Sequence, residues 1–178
     1  MDRVRSWGLG LALGALALSA QAGRPHEHGV ARLDVAVEPA RITVFLDVAL
    51  DGLVGFERAP RDDAERARAD AALARLRGAG EMFRIDPAAR CTLARVDLVA
   101  PVLGLGPAPA NGGKAGEHAD LEGSFDFDCA DAAKAGFVEV GLFEAFPRLA
   151  RIDVQAATRR GQLKATLRRP AARVALPR

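Results

Sequence analysis

The chain contains three histidines, and their placement is its first chemical signal. His26 and His28 stand two residues apart in Gly23-Arg24-Pro25-His26-Glu27-His28-Gly29, while His118 lies far along the chain in Glu117-His118-Ala119-Asp120-Leu121-Glu122. Imidazole nitrogen and carboxylate oxygen are the donors that zinc takes in a tetrahedral set. If the two segments converge, His26, His28 and His118 would hold one zinc ion, with Asp120 as the preferred fourth ligand and Glu27 or Glu122 as substitutes. The spacing alone leaves copper and nickel open, since both accept the same donors. If the segments do not converge, the chain reads instead as a metal-free interaction module of the cell envelope.

Other chemistries lack their residues. There is no G-x-S-x-G elbow, no H-E-x-x-H helix and no glycine-rich phosphate loop. Asp126 and Asp128 share one face of a predicted strand, a pattern of wet sheet surface more than of an acid/base pair. The expectation is a protein that is not an enzyme.

Cys91 and Cys129 are the two cysteines. Residues 1–22 have the marks of a signal peptide. Arg3 and Arg5 come first, Leu9–Leu18 is apolar but too short to span a bilayer, and Ala20-Gln21-Ala22 supplies the cleavage pattern. In an exported protein an even cysteine pair at this wide spacing reads as a disulfide. Residues 23–178 are then expected to form a single exported, soluble α+β domain with no membrane insertion after cleavage. The full chain carries a formal charge of +2, and losing Arg3, Arg5 and Asp2 lowers it to +1. So small a charge argues against a nucleic-acid partner.

The elements that must position the histidines follow from periodicity. Ala31–Val37 and Ile42–Leu50 alternate apolar and polar residues around Glu38-Pro39-Ala40-Arg41, which predicts a hairpin just after His28. Continued backward as strand, it would put His26 and His28 on one face. Asp62, with Glu65 three residues on, predicts a helix start, and Ala69, Ala72, Leu73 and Leu76 form its buried stripe up to Gly78. Cys91–Val99, Leu121–Cys129, Phe137–Phe143, Arg151–Ala157 and Gln162–Leu167 are further predicted strands. Residues 100–117, rich in Pro, Gly and Ala, predict a mobile loop. The expected fold is a mostly antiparallel sheet of about seven strands with one main helix and one disulfide.

Several stretches, in order along nearly all of the mature chain, resemble the ZrgA-like proteins, periplasmic zinc-acquisition accessories of Gram-negative bacteria. They are His26-Glu27-His28-Gly29, Val54-Gly55-Phe56-Glu57-Arg58-Ala59-Pro60, Met82-Phe83-Arg84-Ile85 leading to Cys91, His118-Ala119-Asp120-Leu121-Glu122 leading to Phe125-Asp126-Phe127-Asp128-Cys129, and Leu142-Phe143-Glu144-Ala145-Phe146-Pro147 running into Ile152-Asp153-Val154-Gln155. The resemblance implies a periplasmic zinc-binding protein that passes metal to a zinc ABC importer, with that system's binding protein as partner. Such relatives commonly carry a His/Asp/Glu-rich middle loop and often a histidine where Arg58 stands. Residues 100–116 here have no histidine or carboxylate, so the expectation is one discrete site rather than a high-capacity buffer.

Overall fold

The alternation read from the sequence is what folds first into view. In the computed structural model, which describes residues 27–106 and 119–177, β1 (Val30–Val37) and β2 (Arg41–Ala49) form an antiparallel hairpin that pairs Leu33 with Leu46 and Val35 with Val44. Ile42, Val44, Leu46 and Val48 point into the core, and Arg41, Thr43, Phe45 and Asp47 point out. The strand ends at Ala49 because Leu50 opens a short helix, α1 (Leu50–Val54). Helix α2 (Asp63–Arg77) begins as its cap chemistry demands, with the Asp62 carboxylate accepting the Glu65 N–H at 2.8 Å. Its Ala69, Ala72, Leu73 and Leu76 are buried.

Then come α3 (Ala79–Met82), β3 (Phe83–Ile85), β4 (Cys91–Val99), β5 (Asp120–Cys129), β6 (Phe137–Val140), α4 (Leu142–Ala145), β7 (Arg151–Thr158), β8 (Gly161–Leu167) and β9 (Arg173–Ala175). Two sheets result. The larger has the order β4-β5-β2-β1-β7-β8 and the smaller β3-β6-β9. Phe83 of β3 packs its ring against Phe125 of β5 at 4.9 Å between centroids, joining the small sheet to the inner face of the large one. Cys91 and Cys129, directly opposed across β4 and β5, are bonded at 2.06 Å.

The class is α+β, but three particulars differ from expectation. Among the described residues nine strands form, not about seven, and they lie in two sheets. β3 and β9 have three residues each, too few to show alternation. The large sheet is mixed rather than mostly antiparallel, because β1 and β7 run parallel with Leu33 beside Val154. Everything from β2 to α4 intervenes, which supplies the crossover that parallel neighbours require. Lastly, α2 is joined among the described residues by three helices of four or five residues. The strand expected over Phe137–Phe143 stops at Val140, and Leu142–Ala145 is helical.

The expected loop of residues 100–117 is described only in its first part. There Pro101–Leu103 is a 3-10 turn closed by an Ala100–Leu105 bridge, with Ala100 buried. The rest of that loop and residues 1–26, with the expected signal peptide, lie outside the described residues. No helix among the described residues is long and apolar enough to cross a membrane.

Candidate metal centre

Three acid and base side chains meet where β1 begins and β2 ends. His28 sits in a turn, not in the backward extension of β1. The Val30 N–H donates to the Glu27 carbonyl at 3.2 Å, and Gly29 takes φ +71°, a conformation that favours glycine. A Cβ at Gly29 would also lie 3.2 Å from the Arg148 carbonyl. The Gly29 carbonyl accepts from the Ala150 N–H at 2.8 Å and the Arg151 N–H at 3.1 Å, which ties this turn to the start of β7.

Asp51 is placed by α1. Leu50 is fully buried, and its N–H donates to the Ala119 carbonyl at 2.8 Å. The helix ends at Gly55 with φ +87°, where a Cβ would meet the Arg148 guanidinium at 3.0 Å. Glu57 is held on either side. Phe56 is buried, and Arg58 donates to Glu65 through both terminal nitrogens, at 2.6 and 2.7 Å. Arg58 also lies over the Phe56 ring at 5.2 Å. Together with an N–H from Arg61, the Arg58 guanidinium lowers the Glu65 carboxyl to about 2.

One ligand atom from each of His28, Asp51 and Glu57 lies within 4.8 Å of the other two. His28 Nδ1 is 2.7 Å from Asp51 Oδ2 and 3.4 Å from Glu57 Oε1. The hydrogen bond and charge of Asp51, then the charge of Glu57, raise the His28 pKa above its ordinary 6.5. The other Asp51 oxygen, Oδ1, is buried with no hydrogen-bond partner among the described residues. Leaving a carboxylate oxygen so is costly unless something fills its coordination. One nitrogen and two carboxylates with a mutual focus hold a proton here, and the same set suits a divalent ion. His28 is 72% exposed, so the site opens to solvent.

Of the residues singled out in the sequence, His28 belongs to this cluster. His26 and His118 lie outside the described residues. Asp120 opens β5 opposite Ala49, one residue from Leu50. Glu27 is engaged with Arg151 Nη2 at 2.5 Å, and Glu122 is exposed on the outer face of the large sheet opposite Asp47. Asp51 and Glu57 were not candidates. Asp51 sits in a strand-to-helix junction with no periodic signal. Glu57 had a trace, as part of the Gly55-Phe56-Glu57-Arg58 stretch on which the resemblance rests.

A family model described as "ZrgA family zinc uptake protein" matches residues 25–176. No curated protein sequence matches the chain.

Proposed function

Because this chain belongs to the ZrgA family of zinc uptake proteins, we propose that it binds one zinc ion through His28, Asp51 and Glu57 and hands that ion on during uptake. The observation that carries the reading is the convergence of His28 Nδ1 with two carboxylates, one of which has a buried oxygen without a hydrogen-bond partner among the described residues. The two carboxylates balance the charge of a divalent ion. Zinc displaces the proton on His28 Nδ1, so binding and proton release are one event. With His28 mostly exposed and Glu57 partly so, a partner's ligands can replace them stepwise, which favours transfer over storage.

His118 and Asp120 remain proposed as further donors. In support, Ala119, which lies between them in sequence, bonds to Leu50 beside Asp51. His26, two residues before His28, is carried forward on the same footing. The periplasm is the proposed location, and the binding protein of a zinc ABC importer is the proposed receiver. The test is calorimetric titration of the chelator-treated protein with zinc, copper and nickel. One zinc per chain, with affinity lost in His28→Ala and Asp51→Asn, is the expected result. No heat of binding, or unchanged affinity in both variants, would return the metal-free envelope module.

A further inference from the structure

Among the described residues no helix or strand lines the hollow of about 510 Å³ on the outer face of the large sheet except the strands of that sheet themselves. Its apolar wall is Phe45, the exposed large hydrophobic residue among those described, at 48%. A single exposed phenylalanine needs no explanation by itself. The surroundings of this one do. Asp34 stands directly opposite it on β1, and Glu122 lies diagonally across on β5, where Ser124 faces Phe45 and Glu122 faces Asp47. Four carboxylates line the hollow (Asp34, Asp47, Glu122 and Asp153) against two cations, Arg32 and Lys164. Asp47 is matched by Arg32 at 3.4 Å, and Asp153 by Arg151 at 3.1 Å and the Thr166 hydroxyl at 2.9 Å. Asp34 and Glu122 have no hydrogen bond or ion pair among the described residues, and both are exposed.

The sign of this hollow opposes that of the whole chain, whose formal charge is +2. An aromatic face flanked by two uncompensated carboxylates is the complement of a guanidinium or ammonium group, which takes the ring through its quadrupole and the carboxylates through charge-assisted hydrogen bonds. We propose that this hollow docks an arginine- or lysine-bearing segment of another protein, with one cationic side chain laid on Phe45 between Asp34 and Glu122. The proposal is independent of zinc, because none of these residues belongs to the His28 cluster.

The test uses the chelator-treated protein and a fluorescein-labelled hexa-arginine peptide, read by anisotropy, with hexa-glutamate as the control. Saturable binding of the basic peptide is expected, and it weakens as salt rises from about 20 mM to about 300 mM. Phe45→Ala, and separately the Asp34→Asn/Glu122→Gln pair, should each weaken it about five- to tenfold. Phe45 contributes nothing to the core, so the variants should keep the wild-type circular dichroism spectrum, and Phe45→Lys provides a second variant at the same position. Equal binding by wild type and variants would mean diffuse charge attraction and overturn the proposal, as would absence of saturable binding. A Phe45-dependent dimer in sedimentation would overturn it too, since the occupant would then be a second copy.

Discussion

The disulfide allows scaffold and site to be perturbed separately. Cys91 begins β4 and Cys129 ends β5, and among the described strands β4 lies at the sheet edge and pairs with β5 alone. Replacing both cysteines by alanine releases a loop whose ends are 38 residues apart. In the chain-entropy account that loop contributes about 4 kcal/mol at 25 °C. For a domain of about 150 residues each kcal/mol moves Tm by about 2–4 °C, so the double variant should melt about 8–16 °C lower. Asp120, at the other end of β5, is about 30 Å from Cys129 at the usual strand rise, and Ala119 and Asp120 mark the end of that strand nearest Leu50 and Asp51. Zinc affinity measured well below the new Tm should therefore stay within about twofold of wild type, because sites this far apart act additively. Scanning calorimetry and a zinc titration on the same preparation check both parts. A stability loss under about 1 kcal/mol, or an affinity loss of about tenfold, would refute the division.

Further predictions concern the site and its supports. With only three histidines in the chain, the imidazole proton resonances can be followed individually by NMR. His28 should titrate above its ordinary 6.5, and Asp51→Asn should lower it more than Glu57→Gln, because Asp51 supplies both the hydrogen bond and the larger charge effect. A raised folded pKa means that the His28–Asp51 pair stabilises the fold below pH 6.5 and that this contribution is lost as pH rises through the raised value. Zinc must displace that same proton, so its affinity should fall as pH drops through the raised value, which calorimetry in two buffers of different ionisation enthalpy would detect. Arg58→Ala should weaken zinc binding by about tenfold through the loop that carries Glu57, and Glu65→Ala should do the same; affinity equal to wild type in both would remove Arg58 as a positioning residue. Asp86, 8% exposed, accepts from the Ala88 N–H at 3.0 Å and the Gly136 N–H at 2.9 Å. Asp86→Ala should cost about 1–3 kcal/mol in urea unfolding, and Asp86→Asn less, because the amide oxygen keeps one acceptor.

Much of the scaffold was legible because its signals are local. Leu33 and Val35 alternate with Arg32 and Asp34, and Asp62 with Glu65 announces α2 one residue ahead of its start at Asp63. The strand over Leu121–Cys129 was read one residue short of its observed beginning at Asp120. Strand partners were less legible. Nothing in Leu33-Asp34-Val35 says that its neighbour is Val154 rather than a nearer strand, or that the two run parallel. Alternation states which face is buried and is silent on direction. The site was legible at His28, where residue type alone raises the question. Asp51 is one carboxylate among 23 acidic residues, and only the turn of the backbone at Leu50 aims it toward His28. Glu57 likewise gains meaning from the Arg58–Glu65 pair that fixes its loop, a contact no spacing rule contains.

The most direct test of the central claim is an anomalous difference map, collected at the zinc absorption edge from crystals of the zinc-loaded protein. The account predicts one strong peak per chain, within coordination distance (about 2.0–2.2 Å) of His28 Nδ1 and of carboxylate oxygens from Asp51 and Glu57. A map without a peak there, or with its peak elsewhere on the molecule, would contradict it.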